Sequence, residues 1–566
     1  MFPVGISSLA ELFSTESIMV YIVFCIGNAV LLYFASLKFF LVLQLSNYNG
    51  KKYYKWLKNK ENPYVSRLML LSMLGFLFFC VLSTCLSAVS TAIFGEATGY
   101  TVGSYLGFIS YFLFTGLYIH TERRVNAKVS LKKTKRIIRL SVCYSALLIV
   151  SSFIFVIFCD TITYFIGSNV VGLLRYALIC FMPLVLPHVL YFASIIIRPF
   201  ENRINKKYVD GAKNKLKDSN VIKIGITGSF GKTTVKEILS TILSQKYRVL
   251  STPYSYNTPL GIALTTKNLD STHDIFIAEM GARSKGDIKE LAEIVKPNIA
   301  VITGINGQHL ESFGDLETIK DTKYELVESL SDKGVAFFSA DNEGSRELYG
   351  RFNGEKYFAG ISDENAFSFA TDVKTTAQGT TFLLHIGKEK PIACSTILLG
   401  KHSIGNVCLA SAVAYKLGLD VKEIANGINR IKTVGHRLEL LPNNKNVIII
   451  DDSYNSNIDG FNSAMEVLDM FSGRKIVLTP GLVELGTMEN VMNFKVGKIL
   501  ASHADKVIVV GKHNAEMIVN GLIEGGMNKD DIIFEKNPNR GNRELNEIIK
   551  DGDVILFEND LPDNYN

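Results

Sequence analysis

Two hydropathy regimes divide the chain. Up to about residue 200 the apolar positions run in long unbroken stretches; beyond Val221 they come in short bursts between amphipathic segments. Five stretches reach the ~20 apolar residues that a membrane-crossing helix needs: Ile18–Leu37, Leu68–Ala97, Thr101–Ile119, Leu140–Cys159 and Tyr176–Ile197. Their only acidic or basic residue is Glu96, with His188 the one further titratable imidazole. The first is too long for a removed signal peptide and lacks a basic leader and a cleavage site. The expectation is a five-span domain over 1–200 and a basic linker over 201–220.

From Val221 the pattern alternates strand and helix. Strands are expected at 221–225, 247–251, 274–279, 299–303 and 335–338, with helices at 232–243, 284–296 and 318–331. A second set of strands follows at 447–451, 475–479, 506–510 and 553–557. Such alternation predicts mostly parallel sheets covered by helices. The fold class is therefore an α-helical membrane domain followed by α/β.

Composition supports the division. The chain has 566 residues, 48% hydrophobic, with a net charge of +6. Its placement matters more than its size. Basic residues crowd 46–67, 121–139 and the segment after Ile197, whereas the N-terminus and 95–100 have none. The positive-inside rule then puts the N-terminus outside and everything after Ile197 in the cytoplasm, in a multi-pass protein of the bacterial cell membrane. The basic loops set topology, or gather anionic lipids or a lipid-linked phosphate. Pro183, Pro187 and His188 in the fifth stretch are expected as a kink and a histidine facing neighbouring helices. The eight cysteines form no C-x-x-C pair, so neither a zinc ribbon nor a disulfide framework is indicated.

The sharpest chemical signal is Thr227-Gly228-Ser229-Phe230-Gly231-Lys232-Thr233-Thr234, between a Val/Ile-rich strand and a helix. Glycines let backbone N–H groups approach a polyphosphate, and the helix N-terminus adds favourable dipole charge. Lys232 would reach the β/γ-phosphates and the Thr233 hydroxyl would hold Mg²⁺. The usual first glycine of a P-loop is Ile226 here, so the match is to the shorter Gly-x-x-Gly-Lys-Thr form.

Other constellations are weaker singly. Glu279 ends a strand beside Gly281 and is either a Mg²⁺ ligand or a helix-capping acid. His309 follows the next strand, as a metal ligand or a surface histidine. Lys323, read bare, is a solvated helix lysine. His402 and Asn406 lie four apart on one helix face. Arg437, in a Gly-rich turn, suits a phosphate. Asp451 and Asp452 end a strand before a polar turn.

In this order the motifs resemble the Mur ligase family, most closely the branch that adds D-alanyl-D-alanine to the peptidoglycan precursor. The resemblance spans about 221–557. It rests on the P-loop, Tyr256-Asn257-Thr-Pro-Leu-Gly261, Ala278-Glu-Met-Gly-Ala282 and His309-Leu-Glu-Ser-Phe-Gly314 with Lys323. Gly400 to Asn406, Gly435-His-Arg437 and Asp451-Asp-Ser-Tyr-Asn-Ser-Asn457 complete it. It implies a central ATP-binding domain over 221–432 and a Rossmann-like C-terminal domain over 433–566. It also implies an acid–amino acid ligase that uses ATP and Mg²⁺ and works through an acyl-phosphate. Gly228, Ser229, Gly231, Lys232, Thr233 and Thr234 would cradle the phosphates, with His402 and Asn406 at the adenine. Arg437 would reach the γ-phosphate, and Asp451 or Asp452 would lie near the ribose. Thr233, Glu279, His309 and a carbamylated Lys323 would serve two Mg²⁺ ions.

The chain departs from the family's pattern at Ile458, where Asn-Pro is usual, at Ser339-Ala340-Asp341, and at Thr479 to Gly486, where the incoming amine is expected. The five-span region also stands where the family has a domain that grips the UDP-sugar. The leading expectation is thus a membrane-anchored amide ligase of envelope synthesis. It would join an amino acid or dipeptide amine to a lipid-linked or surface-polymer carboxylate, with membrane lipids and no nucleic acid among its partners. One alternative is the ordinary D-alanyl-D-alanine-adding ligase, tethered; another is a polyglutamate-type ligase with an export partner. A different class is a P-loop membrane scaffold or transport subunit without ligase activity. No transport signature accompanies the P-loop.

Overall fold

The computed structural model describes residues 15–58, 131–166 and 169–559, apart from 308–309, 362, 443–445, 455, 484 and 513, with single positions between 74 and 116. It divides into two compact units, Met1–Ile204 and Asn205–Asn566.

In the first unit the described helices are Thr15–Ala35, Leu37–Leu45, Gly50–Lys58 and Lys135–Ile166, followed by the opening of Asn169–Asp218. Phe39, Phe40, Tyr53, Tyr144, Leu186 and Leu190 form its core. Several polar groups within it are paired, as buried polar atoms generally are. The Ser36 and Tyr144 hydroxyls lie 2.6 Å apart and Asn28 donates to Ser152 at 2.9 Å. Arg139 donates to Glu201 at 2.8 Å. His188 stacks on Tyr54 and its Nδ1 lies 3.1 Å from the tyrosine hydroxyl, a packing role against a neighbouring helix.

The expected five-span, multi-pass membrane location needs correction. Among the described residues one segment, Lys135–Phe155, is long and apolar enough to cross a membrane. A second passes only if Cys25–Ala35 and Leu37–Leu45, bent by 49°, count as one span. That bend falls inside the expected first span, at Ser36, which bonds the Leu32 carbonyl as well as Tyr144. Tyr176–Ile197 is absorbed into the 50-residue helix Asn169–Asp218, whose second half is charged. Leu68–Ala97 and Thr101–Ile119 lie outside the described residues but for single positions. Hydropathy along the chain does not show where a helix bends or how far it runs on into charged sequence, and those two features separate the described segments from the expected spans. The segment taken as a basic linker is helical to Asp218, since its lysines, Arg203, Ala212 and Leu216 are good helix formers and no proline follows Pro199 in that helix.

The second unit is built on two sheets. The larger has nine strands, β1 (Ile222–Thr227), β2 (Val249–Ser251), β3 (Ile275–Glu279), β4 (Ile299–Ile302), β5 (Val335–Ser339), β6 (Glu355–Gly360), β7 (Ser368–Thr376), β8 (Gly379–Ile386) and β9 (Ile392–Thr396). Their order is β2-β3-β1-β4-β5-β6-β7-β8-β9, parallel up to β7 and antiparallel through β8 and β9. The smaller has β10 (Glu439–Leu440), β11 (Ile448–Asp452), β12 (Lys475–Thr479), β13 (Lys506–Val510), β14 (Ile532–Glu535) and β15 (Val554–Glu558). Its order is β10-β11-β15-β12-β13-β14, and all pairs but β10–β11 are parallel.

Buried Ile and Val residues of β1, β3 and β4 pack against the helices Lys232–Leu243 and Lys401–Lys416 on one face. The helices Asp287–Val295 and Leu316–Glu328 cover the other. Covered on both faces, these strands read as continuous apolar runs, which is why they are legible. β7, largely threonine and charged residues, carries no such run, and β8 offers only Phe382-Leu383-Leu384. Ala212 and Leu216 of the long helix are buried in this core as well.

Candidate active site at the P-loop

β1 stops at Thr227 and only four residues separate it from the helix Lys232–Leu243, so the turn between them is forced tight. Gly231 caps the helix with φ +79°, a conformation that side chains disfavour. Gly228 lies so close to Thr303 that a Cβ would stand 2.0 Å from its hydroxyl. Neighbouring strands pin the loop: Ser229 N–H donates to the Gly304 carbonyl at 2.7 Å, and Thr303 donates to the Phe230 carbonyl.

Lys232 is folded back over this turn. Its ammonium donates to the Gly228 carbonyl at 2.7 Å and the Ser229 carbonyl at 2.9 Å. Burial pushes its pKa down to about 8, Glu279 opposing and Arg437 adding to the shift. Thr233 donates to Glu279 Oε2 at 2.9 Å. Glu279, 1% exposed, also accepts from Asn257 at Oε1, 3.1 Å, and from Lys236 at Oε2, 3.3 Å.

Two cavities meet at the loop. The smaller, about 390 Å³, is lined by Lys232, Thr233, Glu279, Arg283, Lys323 and Tyr454 among others. Here Lys323 is 3% exposed rather than solvated, 5.8 Å from the Phe313 ring centre. Burial and then the charge of Lys232 push its pKa down to about 7. The larger cavity, about 770 Å³, is lined by Thr234, Asp341, His402, Asn406, Asp452 and Asn457 among others. Phe230, Gly231 and Arg437 line both.

Asn406 reaches back to the P-loop, so that a Cβ on Gly231 would stand 3.2 Å from its Oδ1. His402 presents its ring to the cavity, but the protein around it and then Arg437 push its pKa below the usual imidazole range. The Arg437 guanidinium lies 4.6 Å from the Tyr454 ring centre.

Most of the expected site residues converge here, with two exceptions. His309 lies outside the described residues. Asp451 does not reach the cavity: it holds the turn bearing Arg437, with Oδ2 2.7 Å from His436 Nδ1 and Oδ1 accepting from Ser453 N–H. Consecutive strand residues face opposite sides, so only Asp452 can face the cavity. The departure at Ile458 has a local account. Asn457 caps the helix Ile458–Asp469 by accepting from Asp459 and Gly460 N–H, and with that cap in place the first helical position, where proline is favoured but not required, accepts isoleucine. Sequence reasoning missed Lys236, Arg283 and Tyr454 as individual site residues; the signals were a lysine one turn beyond Lys232, an arginine directly after the motif ending at Ala282, and a tyrosine inside the Asp451–Asn457 motif.

Among the described residues no three His, Cys, Asp or Glu side chains gather as a metal cage. One carboxylate beside a hydroxyl does suit Mg²⁺, which takes few protein oxygens and completes its shell with phosphates and water.

Residues 226–414 match the Mur ligase middle domain and 436–558 the Mur ligase glutamate ligase domain. The UDP-N-acetylmuramoyl-tripeptide–D-alanyl-D-alanine ligase of a Synechocystis species is 30% identical over 338 residues, covering 59% of this chain and 71% of that protein. The chain belongs to the Mur ligase family. Family members are ATP-dependent ligases that form ADP and phosphate, and they use Mg²⁺. The ligase of the same description in Bacillus subtilis is 29% identical, over 61% of this chain and 75% of its own length. The crystal structure of MurF ligase from Thermotoga maritima in complex with ADP superposes with a TM-score of 0.56 at 28% identity, covering 63% of this chain and 80% of that one. The chain spans between 65% and 75% of the first curated relatives' length. These relatives are named for a UDP-linked precursor, which together with the one membrane-length apolar segment among the described residues overturns the multi-pass membrane expectation.

Proposed function

We propose that this chain is an ATP-dependent amide ligase of peptidoglycan-precursor synthesis, of the kind that joins D-alanyl-D-alanine to a UDP-N-acetylmuramoyl-tripeptide. The observation that carries the reading is the pair of cavities meeting at Gly231 and Arg437. One suits the nucleotide and the other the acceptor carboxylate. The relatives' names favour this reading over the lipid-linked acceptor expected from hydropathy.

The acceptor carboxylate oxygen attacks the γ-phosphorus of ATP, the bond to the β-phosphate oxygen breaks, and ADP leaves. The amine then attacks the acyl-phosphate carbonyl, loses a proton and expels phosphate. Two anions must meet in the first step, so the site has to supply positive charge. Lys232 and Arg437 supply it from the two sides. Lys232 must first release the Gly228 and Ser229 carbonyls. Asn406 and His402 bind the base, and Asp452 the ribose. Thr233 and Glu279 would hold Mg²⁺, which neutralises phosphate charge.

Lys323 is read as the second metal-binding group. At a pKa of about 7 a large share of it is neutral near pH 7, and a neutral amine adds CO₂ to give a carbamate and a proton. The cation thereby becomes an anionic oxygen ligand.

The test is phosphate release from ATP by the purified protein with UDP-N-acetylmuramoyl-tripeptide and D-alanyl-D-alanine. Release that needs both substrates and is lost in Lys232→Ala supports the ligase. Acceptor-independent release, unchanged in that variant, overturns it.

A further inference from the structure

Lys236 lies one turn beyond Lys232, and its side chain is fully shielded from solvent. A lysine is buried this way only with partners. Its ammonium donates to the Tyr254 carbonyl and to Glu279 Oε2 at 3.3 Å, and lies 3.2 Å from Glu237 Oε1. Tyr254 has φ +49°, a left-handed conformation unusual for a bulky residue, so something must hold it.

Three residues further on, Asn257 donates to the other Glu279 oxygen at 3.1 Å, and its carbonyl accepts from Gly281 N–H at 3.0 Å. Gly281 allows this approach, since a Cβ there would stand 2.7 Å from Asn257 Cγ. Thr252 Oγ1 accepts from Glu279 N–H at 3.0 Å. The loop 252–257 thus grips Glu279 at both its backbone and its carboxylate, and Lys236 fastens the loop to the P-loop helix. Ser255 in the same loop bonds the Tyr454 hydroxyl of the C-terminal domain.

We propose that Lys236 is a positioning residue for the Thr233–Glu279 metal site: its buried ammonium fixes the orientation of the Glu279 carboxylate and locks it to the 252–257 loop. The inference rests on reading Thr233 and Glu279 as the Mg²⁺ site. Without Lys236 the carboxylate keeps Thr233 and Asn257 but loses its charged partner, and Tyr254 loses the donor that holds its backbone. Mg²⁺ would then meet a carboxylate that must be oriented on binding.

The test is a Mg²⁺ titration of fluorescent ADP-analogue binding to the full chain, with the affinity in EDTA as reference. Lys236→Gln is expected to raise the half-saturating Mg²⁺ at least tenfold while leaving the EDTA affinity within twofold. Asn257→Ala, which leaves no buried charge unpaired, is expected to raise it about threefold. A folded Lys236→Gln protein with the wild-type midpoint overturns the inference, as does an equal loss of affinity with and without Mg²⁺. Should Lys236→Gln not fold, an unmoved midpoint in Asn257→Ala overturns it. Wild-type binding that ignores Mg²⁺ overturns the metal reading and the inference with it.

Discussion

Lys323 shows how position makes a side chain chemical. On its helix it reads as one more polar residue, yet burial and Lys232 lower its pKa from 10.5 to about 7. The folded state therefore prefers the neutral amine. As pH falls from about 10 to 7 the unfolded chain takes up the proton and the folded one does not, so stability is lost across that window. Calorimetric melting points between pH 7 and 10 should fall with pH, and Lys323→Met should flatten the slope. The same shift governs carbamylation. Bicarbonate should stimulate ligase turnover more at pH 8 than at pH 6, with a midpoint near 7, and leave Lys323→Met unaffected; turnover at both pH values with added bicarbonate checks this.

At the scale of elements, strand ends carry the site. β11 and β15 pair in parallel with Asp452 opposite Glu558, so two acids share one buried edge. Burial raises Asp452 to about 6, and burial and then the neighbouring Asp452 raise Glu558 well above the usual range. Raised acids stabilise the fold at low pH and lose that contribution as pH rises, here from about 4 through 6 and beyond. Glu558→Gln should raise the melting point at pH 7.5, since each pKa unit corresponds to about 1.4 kcal/mol, and should leave it unchanged at pH 4. The P-loop is the other such element. Gly231→Ala forces a side chain into φ +79° and toward Asn406; a cost of about 1–2 kcal/mol and at least tenfold weaker ADP binding are expected, measured by thermal melting and by titration.

For the whole molecule, the two units differ in what the amino acids announce. The second should stand alone if cut with its own core intact. A fragment of residues 205–566 keeps Ala212 and Leu216, which are buried in that core, whereas one of 221–566 exposes what they cover. The longer fragment should melt cooperatively, bind ADP, and melt higher than the shorter, by calorimetry on both.

The sequence by itself determined the α/β architecture, the strand–loop–helix of the P-loop and the ligase family. Doubly covered parallel strands are apolar throughout, and a phosphate loop demands glycines at fixed spacing. It left β7, β8 and β9 unmarked, because β7 is rich in threonine and charge and the apolar runs of β8 and β9 are only three residues long. Only the tertiary structure decided which of Asp451 and Asp452 faces the cavity, that Lys323 is buried, and that Lys236 pairs with Glu279. Those outcomes depend on strand facing and on contacts between residues distant in the chain, to which a linear pattern is blind. The same blindness bears on the five-span expectation: hydropathy does not show that the first stretch bends at Ser36, and among the described residues one segment, Lys135–Phe155, is by itself long and apolar enough to cross a membrane.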